Sequence, residues 1–357
     1  MSHAKLYIPG PVEVSEKTFQ AFRLPMMGHR GGDFKALYGR IQPRLRELFR
    51  TAQPVFLSTS SAWGVMEGAI RNLVQKRVLN CMCGAFSDKW LDVSRRCGRE
   101  AEGLQVPWGE PILPESLDAK LATGAFDAVT LIHNETSTGV MNPLAEIAVV
   151  MRKYPEVCFI VDSVSSFSVV PIPMDELGID LLLTGSQKAL AMPPGLALFS
   201  VSERGFERAG KSADRGYYFD FLEFRKNGAE DMTPSTPSIG HVHALESKLD
   251  DIFSEGVATR HARHARLNAM VAGWVRRHGF EFFAPEGYRS VSLTCVRNNR
   301  EIDVAGFIKR LRERHQVQID GGYGKIKGLT FRISNMGDET DASITELLAK
   351  LDDSFPV

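Results

Sequence analysis

Short apolar runs alternate with amphipathic stretches along most of this chain. Pro54-Val55-Phe56-Leu57 reads as the first core strand, and Met66, Ala69, Ile70 and Leu73 then recur at helical spacing. Further strands are predicted over residues 78–83, 104–107 and 126–133, with helices over 88–96, 114–121 and 143–154. Proline is tolerated in the first turn of the helix that begins at Pro114. Cys158-Phe159-Ile160-Val161 and Leu181-Leu182-Leu183 add two apolar strands, and another follows around Leu196. Repeated strand–helix units of this size build a mostly parallel sheet sandwiched by helices. The expected fold is therefore α/β, with these seven strands in one large sheet.

The flanking segments read differently. Residues 6–12 are expected to form an extended arm entering a tight turn, since Pro9-Gly10-Pro11 forbids helix. A helix is predicted from about Ser15, whose hydroxyl can cap it. Residues 28–34 form a glycine-rich loop holding His29 and Arg30, readable as a mobile loop or as a substrate contact. A helix of about 15 residues follows it. Residues 215–239 are irregular and polar and carry Tyr217-Tyr218-Phe219. One long helix is predicted over 241–276, and beyond it strands over 291–294 and 329–333 alternate with helices over 304–314 and 343–351. That pattern suits a smaller C-terminal α+β domain. The expected division is a large domain over 15–258 and a small domain over 259–357 that includes the arm 1–14.

Composition narrows the partners. The 357 residues are 43% apolar and 24% charged, as in a soluble globular protein with a sizeable core. Lys plus Arg equals Asp plus Glu at 43 each, so nothing invites nucleic acid or an anionic membrane. No run approaches the roughly 18 apolar residues that span a bilayer. The Met1-Ser2-His3 start lacks a signal-peptide core, and the tail from Ser354 to Val357 carries no peroxisomal or retention signal. The odd number of cysteines, five, and their apolar surroundings suit reduced core thiols in the cytoplasm. Cys81-Met82-Cys83 is a single pair without a second half, so no metal site is expected.

Candidate chemistry gathers at strand ends. Leu181-Leu182-Leu183 breaks at Thr184-Gly185-Ser186, and Lys188 follows, trailed by Pro193-Pro194-Gly195. Asp162 ends a second apolar strand. Strand ends along the carboxyl edge of a parallel sheet line its ligand crevice. A lysine after a strand is ordinarily just exposed. Paired with a strand-end aspartate, it suits Schiff-base chemistry on a ring that needs an anion beside it, which is the chemistry of pyridoxal 5'-phosphate. A third strand runs into Ser58-Thr59-Ser60-Ser61-Ala62-Trp63-Gly64 and opens a helix there, an anion site if it is more than a serine cap.

Three motifs in this order carry a resemblance: His133-Asn134-Glu135-Thr136-Ser137-Thr138-Gly139-Val140, Val161-Asp162-Ser163-Val164-Ser165-Ser166 and Gly185-Ser186-Gln187-Lys188-Ala189-Leu190. With 26 residues between Asp162 and Lys188, the chain resembles the class V aminotransferases of pyridoxal-phosphate fold type I. It looks most like their serine–pyruvate/alanine–glyoxylate branch, from Pro9 to Ile333. The resemblance implies a cofactor-binding large domain and a homodimer with shared active sites.

Residue by residue, the resemblance makes Lys188 the Schiff-base lysine and proton carrier, and Asp162 the partner of the ring nitrogen. Thr136, with Ser137 as fallback, would bond the phenolic oxygen. Ser61, Ala62, Trp63 and Gln187 would hold the phosphate, with Thr236 reaching it from the other subunit. Arg332 would grip the substrate α-carboxylate, near Gly10 and the loop bearing Arg30. Two positions depart from the family. Phe86 stands where the ring-stacking residue is often tryptophan, and Thr233 replaces a common tyrosine three positions before Thr236.

The implied function is transfer of an amino group from a small amino acid, such as alanine or serine, to a 2-oxo acid such as glyoxylate or pyruvate. If His29 and Arg30 grip a second anion, phosphoserine or 2-aminoethylphosphonate becomes the substrate. A cysteine desulfurase would need a reactive loop cysteine, whereas the late Cys295 lies in a strand pattern. A non-catalytic cofactor-binding protein would have no use for both Asp162 and Arg332.

Overall fold

The computed structural model describes residues 3–355; Met1-Ser2 and Pro356-Val357, at the two ends considered for targeting signals, lie outside it. Seven strands form the large sheet: β1 (Val55–Ser58), β2 (Arg77–Met82), β3 (Glu100–Gln105), β4 (Ala128–Ile132), β5 (Cys158–Asp162), β6 (Leu181–Gly185) and β7 (Ala197–Val201). Their spatial order is β1-β7-β6-β5-β4-β2-β3. Neighbours from β6 to β3 pair in parallel, and β7 alone runs antiparallel, to both β6 and β1.

Helices cover both faces because successive strand residues point to opposite sides. Leu182 and Leu198 face one apolar cluster, built with α2 (Gly32–Phe49), α5 (Pro114–Leu121), α6 (Leu144–Met151) and α9 (Ile239–Glu255). Leu181, Leu183 and Phe199 face another, with α3 (Ala62–Leu73), α4 (Ala85–Arg96), α7 (Glu203–Lys211) and α8 (Phe221–Gly228). Burial of strands on both sides explains why they read as continuous apolar runs.

A second, three-stranded antiparallel sheet follows: β8 (Glu281–Phe282), β9 (Leu293–Arg297) and β10 (Thr330–Ser334). Its own core takes residues from α10 (Val257–Arg277), α11 (Val304–His315) and α12 (Asp341–Ser354), together with Tyr7. The N-terminal arm joins this unit through a parallel pairing of Lys5–Leu6 with Val317–Gln318. Helix α1 (Glu16–Phe22) starts where expected, the Ser15 hydroxyl accepting from the Thr18 N–H at 3.3 Å.

Three readings of the sequence need correction. The long helix over 241–276 is two helices, α9 and α10, separated at Gly256, whose φ of 85° is left-handed and ends the first. The irregular stretch 215–239 contains α8, capped by the Asp220 carboxylate accepting from the Leu222 N–H at 2.9 Å. The glycine-rich loop ends sooner than residue 34, because α2 already begins at Gly32.

Candidate active site

Strands β5 and β6 lie side by side, Asp162 opposite Leu183, so their carboxyl ends open on one cleft. Lys188 stands there on the turn after β6, 9% exposed. Its Nζ donates to the Pro9 carbonyl, bringing the N-terminal arm over the lysine. Gly10 is needed at that crossing. A Cβ on it would come within 2.7 Å of Lys188 Cδ, and its φ of 136° disfavours any side chain.

Burial acts on both ionisable groups. It lowers the Lys188 pKa to about 8, assisted by the Arg332 cation. It raises that of Asp162 to about 7, against the pull of the Val164 N–H that donates to Asp162 Oδ1 at 2.6 Å. Asp162 and Lys188 line a cavity of about 90 Å³. Ser61, Ala62 and Trp63, the first turn of α3, form another wall. The N–H groups of that turn have no carbonyl within the helix to bond, and the Ser61 hydroxyl makes no capping bond. Both are left for an anion.

Phe86, Thr136 and Gln187 complete the lining with Asn134, Val164 and Ser165. Thr136 Oγ1 lies 2.5 Å from Ser165 Oγ. Phe86 presents its ring 6.0 Å from Lys188 Nζ. Asn134, which nothing in the sequence pattern singles out, sits in this wall with Oδ1 buried and unpartnered. Its amide donates to Ser292 Oγ at 3.1 Å. Glu135, one residue on, was also passed over; it is fully buried and holds the start of α4, the helix that carries Phe86.

Arg332 reaches the same region from β10. Its Nη1 donates to the Thr136 carbonyl at 2.8 Å, and its Nε to Asp320 Oδ1 at 2.9 Å. Nη2 stands 2.7 Å from that same oxygen. The ion pair with Asp320 uses one side of the guanidinium, and donors on Nη1 and Nη2 are left for a second carboxylate.

Two expected site features are not brought together within one chain. Arg30 is exposed, and neither it nor His29 lines the cavity of its own chain. Thr236 also lies apart, in a crevice with Thr59, Tyr218 and Thr233. Cys295 is buried within β9, its thiol pushed up to about 12, which is no setting for a reactive thiolate.

The donors fit pyridoxal phosphate by their chemistry. An amine of lowered pKa and a buried carboxylate share one cavity with a helix N-terminus suited to phosphate, a phenyl face and the unpartnered Asn134 oxygen.

Known proteins agree with this chemistry. The sequence profile described as aminotransferase class-V matches residues 29–324. An uncharacterized aminotransferase of Methanocaldococcus jannaschii is 37% identical over 339 residues, 93% of this chain and 87% of that protein. The serine–glyoxylate aminotransferase of Arabidopsis thaliana is 30% identical, over 96% of this chain and 88% of its own. The crystal structure of alanine–glyoxylate aminotransferase from Nostoc sp. superimposes with a TM-score of 0.94 at 29% identity, covering 100% of this chain and 96% of that one. The chain belongs to the class V aminotransferases and is a pyridoxal-phosphate-dependent enzyme of that family.

Proposed function

We propose that this enzyme transfers the amino group of a small neutral amino acid, alanine or serine, to glyoxylate or pyruvate. The observation that carries the choice is the lining of the Lys188 cavity. Among the described residues of one chain that line it, Lys188 is the one cation, so this lining offers no second charge to pair with a phosphate or carboxylate on the substrate side chain. The phosphoserine and 2-aminoethylphosphonate alternative depends on Arg30, which does not line the cavity of its own chain. The serine–glyoxylate and alanine–glyoxylate activities named for the two relatives above support the same pair of substrates.

Bound pyridoxal phosphate supplies the carbonyl that takes up the amino group and the ring that accepts the electron pair left at the α-carbon. The protein does the rest. Lys188 Nζ would hold the cofactor and, when free, would carry the substrate's α-proton. Its lowered pKa leaves more of the amine neutral near pH 8. Asp162, as an anion, keeps the ring nitrogen protonated. Ser61, Ala62, Trp63 and Gln187 would bind the phosphate, Thr136 would bond the phenolic oxygen, and Phe86 would cover the ring. Arg332 clamps the α-carboxylate with its remaining donors, and Gly10 leaves room for Lys188 beneath the arm.

A homodimer supplies what one chain lacks. The Thr236 crevice adjoins Thr59, just before the phosphate turn, and the Ser238 N–H donates to Thr59 Oγ1 at 3.0 Å. The segment is thus poised beside a site edge from which a partner's site can be reached. The division into a large domain over 15–258 and a small one over 259–357 with the arm is supported by the separate core of the second sheet. A cytoplasmic location is supported by five free, buried cysteines. A screen of amino donors against glyoxylate, pyruvate and 2-oxoglutarate tests the proposal. Preference for glutamate or phosphoserine over alanine and serine would overturn it.

A further inference from the structure

Tyr323 has no part in the roles assigned above, yet its ring packs on Phe86, one wall of the cavity. It is 46% exposed and stacks on Phe86, the centroids 5.2 Å apart and the planes 22° apart. The Arg332 guanidinium lies 5.8 Å from the Tyr323 ring centre. The turn that carries it, residues 320–324, is held at three points. Asp320 Oδ1 accepts from the Gly322 N–H at 2.8 Å as well as from Arg332 Nε. Gly322 has a φ of 88°, and a Cβ there would come within 2.7 Å of the Ile326 carbonyl, so the turn admits little else. Lys325 caps the Trp108 ring at 4.2 Å, and Trp108 Nε1 donates to Asp88 of α4 at 2.9 Å.

We infer that Tyr323 is the residue that limits the size of the substrate side chain. The inference rests on the roles proposed for Arg332 and Lys188. A substrate held by its carboxylate at Arg332 and its nitrogen at Lys188 lies along the Phe86 wall. Tyr323 adjoins both Arg332 and Phe86, so a substituent leaving the α-carbon on that side meets its ring. Alanine and serine fit beneath it and leucine does not.

The test compares the wild-type holoenzyme with Tyr323→Ala and Tyr323→Phe. Two quantities are read: kcat/KM for alanine and leucine with glyoxylate, and dissociation constants for 2-methylalanine and α-methylleucine, followed by the absorbance of the bound cofactor. The two methylated amino acids have no α-proton, so their binding is read without turnover. One methylene changes discrimination by about 10–200-fold in a fitted pocket. Tyr323→Ala is therefore expected to narrow the alanine-to-leucine ratio at least about tenfold by a gain for leucine, and to tighten α-methylleucine by a similar factor. Tyr323→Phe keeps the wild-type ratio. An unchanged ratio in the alanine variant overturns the inference, as does a phenylalanine variant that loses as much as alanine. A wild-type enzyme inert toward alanine would overturn the proposed donor instead, while the binding series would still read the size limit.

Discussion

The Glu135 carboxylate grips Ser87 across the site, accepting from its backbone N–H at 2.9 Å and from its hydroxyl at 3.0 Å. The other oxygen of Glu135 accepts from the Ser137 hydroxyl at 2.6 Å and the Ser137 N–H at 3.1 Å, and from the Phe86 N–H at 3.4 Å. An anion from outside the helix thus caps the positive end of α4 and fixes Phe86, the residue proposed to cover the cofactor. Gly84 is part of the fit, since a Cβ there would collide with Glu135.

Glu135→Gln keeps the volume and puts an amide NH₂ among those donors. Hydrogen bonds to a charged group contribute about 1.5–3 kcal/mol each, so a loss of stability of at least that size is expected. The urea midpoint should fall, and the holoenzyme should release its cofactor faster on dialysis. A variant with the wild-type midpoint and retention would show that α4 does not depend on this carboxylate.

Lys188 and Asp162 were legible in the sequence because each sits where an apolar strand stops, and the strand itself is the signal. Phe86 and the serine turn were legible through the family resemblance. Glu135, Asp320 and Tyr323 were not, although the first was quoted within a motif. Their roles exist only through partners far along the chain: Glu135 with Ser87, 48 residues away, and Tyr323 with Phe86. Periodicity carries no such information. The break at Gly256 and the cap at Asp220 did have local signals, a glycine within a helical pattern and an aspartate before Phe221-Leu222. The proline- and serine-rich stretch after α8 masked the second.

The two buried groups make the cofactor-free protein sensitive to pH in opposite directions. Asp162 has a folded pKa of about 7, raised from 3.8, so the folded state binds the extra proton and stability falls as pH rises from about 4 to 7. Lys188 has a folded pKa of about 8, lowered from 10.5, so its penalty is fully present below 8 and stability rises between about 8 and 10.5. Denaturation of the cofactor-free protein across this range should show a minimum near pH 7–8. Asp162→Asn should flatten the acid limb and, by removing the anion that supports the charged Lys188, deepen the loss below about pH 8. A wild-type profile with no fall between pH 4 and 7 would contradict the burial of Asp162.

The same lysine must be neutral to add to the cofactor's aldehyde. The rate at which cofactor-free protein captures pyridoxal phosphate should climb with pH and level off above about 8, rather than continue toward 10.5. Stopped-flow absorbance measures it. Lys188→Ala should show no covalent capture after borohydride treatment. Its transamination should fall by at least the roughly 10²–10⁴-fold associated with a positioned acid–base group.

The proposed completion of each site by a second chain predicts a concentration dependence. Sedimentation should give a dimer at micromolar concentration, and dilution that yields monomer should lose activity in step. Thr236→Ala should weaken cofactor binding without altering the fold, since Thr236 lines only an open crevice of its own chain. A monomer with full activity would end the shared-site reading.

Asp320 decides how Arg332 is presented. The guanidinium is nearly buried, and without a partner its planar fork could rotate about the last side-chain torsions. Asp320 takes the Nε side and the Thr136 carbonyl takes Nη1, which together leave one orientation for the end of the fork. Asp320→Asn preserves the shape but replaces the anion with a neutral amide. The pairing lost is worth about 1.5–3 kcal/mol, or roughly 10- to 150-fold at about 1.36 kcal/mol per decade. Amino donor and oxo acid both present a carboxylate to Arg332, so KM should rise for both by a similar factor, while cofactor affinity stays at the wild-type value. A rise for the donor alone would assign Asp320 to side-chain recognition, and unchanged KM values for both would show that Arg332 is oriented without it.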